Sequence, residues 1–293
     1  MSGFLDAMAR SSAARVAEAT RHESAQSLER RARAMPPSPP LRLSGAGFDV
    51  IAELKLRSPA AGRLGEAGED WLGRIAAYAR GGAAAVSVLT EPSRFDGTLE
   101  HLRQAAEALA PLGVPAMRKD FLVDPYQILE ARAAGAGGVL VILRMLSRPR
   151  LVELLDVAAE HGMFVLLEAF DAADLDLAGG LLASRAAQGI GAAHQAARAA
   201  AQRAEQEELI LIGINSRDLQ TLQVVPERFA ALAPLLPAGP PAVAESGVAS
   251  AGDARRMRQL GYGLALIGTA LMAHEDPSGL LREILTAVRT VKP

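Results

Sequence analysis

The stretch VIAELKLRSP, residues 50–59, reads as an apolar β-strand that ends in charge. Successive strand side chains point to opposite faces. Ile51, Glu53 and Lys55 therefore share one face, and Ala52, Leu54 and Leu56 share the other. AMRKDFLVDP at 116–125 repeats the pattern, with Lys119 at its strand end. Runs of this kind, short and apolar or β-branched, recur at 48–55, 84–90, 114–119, 138–143, 163–169, 209–215, 241–246 and 263–268, with longer amphipathic stretches between them. Strands alternating with helices predict a parallel sheet, and eight of each predict closure into a (β/α)8 TIM barrel. The chain beyond residue 47 matches the roughly 250 residues typical of that fold. A doubly wound open sheet would need a Gly-rich first turn for a nucleotide, and LKLRSPAAG is not one.

The flanks give the domain limits. Residues 1–47 read as an N-terminal helical extension and connector, and 48–293 as the barrel. The opening residues form an amphipathic helix with Phe4, Leu5 and Met8 on one side. PPSPP at 36–40 cannot continue a helix. Asp124-Pro125 and Asp276-Pro277 place an N-cap residue before Pro at the first helical position. Ser250 with Asp253 suggests a capping box. The 170–208 connection is too long for one helix. Its second half, AAHQAARAAAQRAEQEEL, is rich in helix formers but buries little area. It reads as a second helix or as a partly disordered insert, expected away from the chemistry, on the outer helices or in a weak self-contact.

Composition excludes several functions. The net charge is −2, so no basic excess points to nucleic acid or anionic lipid. There is no cysteine, which removes disulfides, thiolate catalysis and cysteine-bound zinc. The five histidines, at 22, 101, 161, 194 and 274, fall in helices or at their ends without a ligand partner at metal spacing, so no metal is expected. No apolar run is long enough for a signal peptide or a membrane span, and a cytoplasmic protein is expected.

The inward parity that places Glu53 and Lys55 at the tip of the first strand also places Lys119, Glu168, Asn215 and Glu245 at the ends of the third, fifth, sixth and seventh. The C-terminal strand ends are where barrels of this kind keep their chemistry. Unpaired charges in a dry interior cost several kcal/mol. Two lysines and three glutamates that converge stay charged by pairing, and their alternation suits proton transfer. A structural ion-pair network is the alternative. Beyond the last two strands, AESGVAS at 244–250 and LIGTAL at 266–271 supply Gly247, Gly268 and Thr269, a phosphate-binding arrangement that Ser58 and Lys55 complete from the first strand.

These motifs resemble one family, indole-3-glycerol phosphate synthase, of tryptophan biosynthesis. The matching stretches are IAELKLRSP, AVSVLTEPSRFDG, MRKDFLVDPYQILEARAAGA, LLEAF, IGINSRDLQT, AESGV and IGTALM. They run in the family's order from about 48 to 285, and FLDAMARSSAARVAEA is similar to its leading helix. The resemblance implies a decarboxylating lyase. Its substrate is 1-(2-carboxyphenylamino)-1-deoxyribulose 5-phosphate, which closes a ring, loses carbon dioxide and then loses water. It implies no cofactor and no metal. Lys119 is implied as general acid and Glu53 and Glu168 as proton carriers. Lys55 is implied in dehydration, Asn215 in orienting polar groups, and Glu245 as acting with Ser246. Ser58, Gly247, Gly268 and Thr269 are implied to take the phosphate. Phe95, Met117, Phe121 and Leu143 are implied to wall the aryl ring, and Arg217 to anchor its carboxylate side.

The sequence departs from the family's usual pattern at Ser216, at Phe170 where His is common, and at Ala60-Ala61 in the loop after the first strand. A Schiff-base lysine barrel built on Lys119 and a non-catalytic phosphate-binding paralogue are the rival readings.

Overall fold

The computed structural model describes residues 3–58, 62–63, 70–187, 209–219 and 221–289. The expected insert helix near 184–208 falls mostly outside the described residues. Eight parallel strands close into a barrel, each neighbour in sequence also a neighbour in space. They are β1 (Asp49–Leu54), β2 (Ala85–Leu89), β3 (Ala116–Lys119), β4 (Gly138–Ile142), β5 (Phe164–Ala169), β6 (Ile210–Asn215), β7 (Ala242–Glu245) and β8 (Leu264–Ile267). Every expected run holds one of them. The seam joins first to last, with Ile51 opposite Leu266 and Ala52 opposite Ile267.

Helices alternate with the strands. They are α3 (Trp71–Arg80), α4 (Leu99–Leu109), α5 (Pro125–Ala133), α6 (Arg148–Glu160), α7 (Ala172–Ala187), α8 (Glu227–Leu232), α9 (Ala251–Gln259) and α10 (Pro277–Arg289), after an N-terminal pair, α1 (Gly3–His22) and α2 (Ala25–Ala34). The capping chemistry matches its sequence signals. Asp124 and Ser250 each form a full capping box, with Gln127 and Asp253. Each satisfies backbone donors that a helix start leaves orphaned.

Strand parity divides the core in two. Val50, Ala52 and Leu54 of β1 join Val139, Val141, Leu167 and Ile212 beneath the helices. Ile51 of β1 joins Met117, Leu140, Leu166, Leu211 and Val243 inside the barrel. The interior cluster also contains Leu5 and Met8 of α1. The first helix therefore lies over the C-terminal mouth and closes it with its apolar side. Arg15 of α1 holds it there through two hydrogen bonds to Asp120, at 2.8 and 2.7 Å. Ser12 accepts from Gln127 Nε2 at 2.8 Å. Helix α2 packs Leu28 and Ala32 against Tyr126, Leu129 and Ala133 of α5. His161 caps α6, and its buried ring meets Glu29 of α2 at 3.0 Å.

Candidate active site

The C-terminal mouth holds a cavity of about 480 Å³. Its walls bring together Glu53, Lys55, Lys119, Glu168, Asn215 and Glu245, with Phe95, Phe121, Arg217, Ser246, Gly247, Gly268 and Thr269. Each charged group sits at a strand tip because the inward parity of its strand ends there.

Glu53 is the hub. One carboxylate oxygen lies 2.9 Å from Lys55 Nζ and the other 3.6 Å from Lys119 Nζ. Burial works to raise the Glu53 pKa, but the two ammonium groups outweigh it and hold it below the ordinary glutamate value. Burial likewise works against the Lys119 ammonium. There the charges of Glu53, Glu168 and Glu245 prevail and hold its pKa above the ordinary lysine value. Lys119 is thus a protonated acid. Lys55 Nζ also reaches Thr269 Oγ1 at 3.4 Å, which links the charge cluster to the turn after β8.

Glu168 and Glu245 differ from Glu53. Burial raises the Glu168 pKa even though Lys119 opposes it, and Asn215 Nδ2 donates to its Oε1. Burial raises Glu245 well above the ordinary value, reinforced by the charge of Glu168. Neither carboxylate oxygen of Glu245 has a hydrogen-bond partner among the described residues. Three glutamates in one barrel thus occupy three electrostatic states, a separation that suits acid and base work at one pH.

Asn215 is also tied down. Its Oδ1 accepts from Ser246 Oγ at 3.0 Å and from the Arg217 backbone N–H at 2.9 Å. Arg217 lines the cavity, with its guanidinium bonded to the Leu222 carbonyl at 2.6 Å. Ser246 and Gly247 both take left-handed backbone, with φ of 67° and 77°. For Ser246 that conformation costs on the order of 1–3 kcal/mol, and such strain gathers at functional turns.

Three sequence expectations need correction or qualification. Leu143 does not face the cavity. Strand β4 stops at Ile142, and Leu143 begins a 3-10 turn that sends it into the outer apolar layer, so Ile142 and Leu140 form the wall instead. Met117 is fully buried in the barrel interior and does not line the cavity, because it lies two residues below the strand tip. The side chain of Ser58 lies outside the described residues.

Other wall residues were not read from the sequence. Phe4 and Leu5 of α1 line the cavity. Phe4 meets Phe121 edge-on, 5.8 Å between centroids, and Phe95 lies 6.3 Å from the same ring. Leu89, Asp120 and Phe170 also line it. For Phe170 a signal existed, since it shares the inward parity of Glu168. Asp120 is nearly enclosed. Besides Arg15 it accepts from Thr90 at 2.8 Å, from Arg118 at 3.1 Å and from the Phe121 backbone N–H at 2.8 Å. Burial raises its pKa, but Arg15 and Arg118 outweigh that and hold it well below the ordinary aspartate value.

A closed parallel barrel with lysines and glutamates at its C-terminal mouth narrows the field, and comparison with known proteins decides it. The profile of one family, indole-3-glycerol phosphate synthase, matches residues 5–187 and 196–284. The chain belongs to the indole-3-glycerol phosphate synthase family. It is 39% identical over 250 residues to the indole-3-glycerol phosphate synthase of a Nocardioides species, covering 85% of each chain. It is 38% identical over 259 residues to that of Methanopyrus kandleri, covering 85% of this chain and 87% of the relative. Among solved structures, 3-hexulose-6-phosphate synthase from Salmonella typhimurium superimposes with a TM-score of 0.58 at 11% identity, over 82% of this chain and 98% of that one. Orotidine 5'-phosphate decarboxylase from Pyrococcus horikoshii gives 0.53 at 13%, over 83% and 100%. At such identity these structures support the barrel alone.

Among the described residues, no cluster of three or more His, Asp or Glu side chains could hold a metal ion. No helix among them is long and apolar enough to cross a membrane.

Proposed function

We propose that this member of the indole-3-glycerol phosphate synthase family converts 1-(2-carboxyphenylamino)-1-deoxyribulose 5-phosphate to indole-3-glycerol phosphate in the cytoplasm, with no partner beyond the phosphorylated substrate. The observation that carries the reading is the placement of Lys119 Nζ 3.6 Å from the Glu53 carboxylate, inside a cavity lined by Phe95, Phe121, Leu140 and Ile142 as well as by Gly247 and Gly268.

Polarity of the cavity orients the substrate. The phosphate takes the turns after β7 and β8, on the backbone N–H groups around Gly247 and Gly268 and on Thr269, with Lys55 beside them. The aryl ring takes the opposite side, among Phe95, Phe121, Leu140 and Ile142. The ring carbon that bears the carboxylate then faces the ribulose carbonyl.

Lys119 donates a proton to that carbonyl oxygen as the new C–C bond forms. A positioned general acid contributes about 10²–10⁴-fold. Glu53 carries two ammonium neighbours and stays ionised, so it fixes both lysines and favours reprotonation of Lys119 from solvent. The carboxylate leaves as carbon dioxide, which restores the ring's aromaticity, and a dry apolar wall favours loss of that charge. Dehydration follows. Lys55 protonates the departing hydroxyl, and Glu168, steered by Asn215, accepts the ring proton. Its raised pKa makes it a stronger base than an exposed glutamate. Glu245 acts with Ser246 at the same face, and Arg217 borders the carboxylate side.

A Schiff-base mechanism needs a neutral lysine, and the carboxylates around Lys119 favour the opposite state. Purified protein incubated with the substrate and followed by indole fluorescence tests the proposal. Product formation supports it. Absence of product, or borohydride-trapped adducts on Lys119, overturns it.

A further inference from the structure

Phe170 stands two residues beyond Glu168 and lines the cavity, and the reaction above does not use it. Its backbone N–H donates to Asp174 Oδ2 at 2.7 Å. The same oxygen accepts from Arg144 Nε at 2.8 Å, and Arg144 also pairs with Asp171. The guanidinium is thereby set over the Phe170 ring, with Cζ 4.9 Å from the centroid. The ring is clamped twice, at its backbone by Asp174 and at one face by Arg144.

Arg144 is poorly placed to recruit an anion itself. It faces two carboxylates, and Asp174 is buried, so the cluster carries net negative charge. What it supplies to the cavity is a fixed aromatic wall. A stacked cation holds a ring by the quadrupole of its face and restricts its rotation. That wall stands just beyond the end of β5, beside the aliphatic residues of β4, with β6 between it and the turns after β7 and β8.

We propose that Phe170 is a specificity-determining residue for the aryl half of the substrate, and that Arg144 is a positioning residue acting through it. The inference rests on the substrate orientation given above. A rigid ring at the cavity wall sets how wide an aryl group enters, whereas a mobile one would yield to substituents. In an apolar pocket one methyl group changes discrimination by about 10–200-fold.

The test measures kcat and KM for the carboxyphenylamino substrate and for its ring-methylated analogue. It compares the wild type with Phe170→Leu, Arg144→Met and the double variant, and records melting temperatures alongside. Phe170→Leu is expected to raise KM for the plain substrate and to shift the ratio of kcat/KM values about tenfold toward the methylated analogue. Arg144→Met shifts the ratio in the same direction by less, and the double variant goes no further than Phe170→Leu. Phe170→Trp narrows the cavity and should shift the ratio the other way; it serves as the test if the leucine variant fails to fold. A purely structural role would lower the melting temperature without moving the ratio, and that result overturns the proposal. So does a double variant in which the two effects add in full. A wild type that forms no indole product overturns the functional reading and this inference with it. Wild-type turnover with an unmoved ratio in the Phe170 variants overturns this inference alone.

Discussion

The space where Gly268 would carry a Cβ is occupied by the carboxylate of Glu53, whose Oε1 such an atom would strike. Gly213 stands in the same relation to Glu245. Two glycines on β6 and at the end of β8 therefore make room for two of the three glutamates that line the cavity. Sequence reading assigned Gly268 to phosphate; its Cα also clears the hub of the charge cluster.

Gly268→Ala should for that reason damage kcat more than KM. A displaced Glu53 loses its contacts to Lys55 and Lys119, and misplacement on this scale costs about 10²-fold. Steady-state kinetics separate the two effects. A change confined to KM would leave phosphate binding as the residue's whole role.

Lys119→Met should fold normally and lose at least ~10²-fold in turnover, the scale of a missing general acid. Indole fluorescence on the purified variant measures it, and near-normal turnover would remove Lys119 from the mechanism.

Glu245→Gln should be more stable than the wild type at neutral pH. A carboxyl whose folded pKa lies above its unfolded value favours the folded state most when protonated. Its contribution declines as pH rises from the unfolded pKa, about 4.3, toward the folded one. The variant's advantage should accordingly be present at pH 8 and shrink at pH 5. An increase of at least ~2 °C at pH 8 corresponds to roughly 1 kcal/mol in a chain of this size. Thermal melts at both pH values decide it, and activity should fall in the same variant.

Asp120 has the opposite sign. Its pKa lies below the unfolded value of about 3.9, so its contribution is complete above that pH and is lost as pH falls toward the folded value. Asp120→Asn should lower the melting temperature at pH 7, with the gap narrowing in acid. Arg15→Met should reproduce part of the loss and raise KM, since Phe4 and Leu5 ride on the helix that Arg15 fastens. An unchanged KM would separate that helix from substrate binding.

The strands, their parity and the convergence of Glu53, Lys119 and Glu168 were legible because period-two alternation carries the inside–outside assignment along each strand. That reasoning ended where the strand did. Leu143 was misplaced because the 3-10 turn after Ile142 breaks the alternation. The α1 wall was illegible for another reason. Phe4 and Leu5 reach the cavity through long-range contacts of α1, such as the pairing of Arg15 with Asp120, 105 positions apart, and no local pattern announces them. Gly268 was legible only as a phosphate-binding glycine, since its collision with Glu53 depends on the register of β8 against β1.

That seam between first and last strands also bears on how the protein is made. A ribosome emits Glu53 more than two hundred residues before Gly268, and the neighbour that shapes its surroundings does not yet exist. The two lysines and the carboxylate they share are therefore born into an open sheet with two raw edges, β1 and β7, and gain their dry setting only when β8 docks. Nascent chains lacking β8 should have no turnover, and the acid–base centre should switch on late and at once in translation.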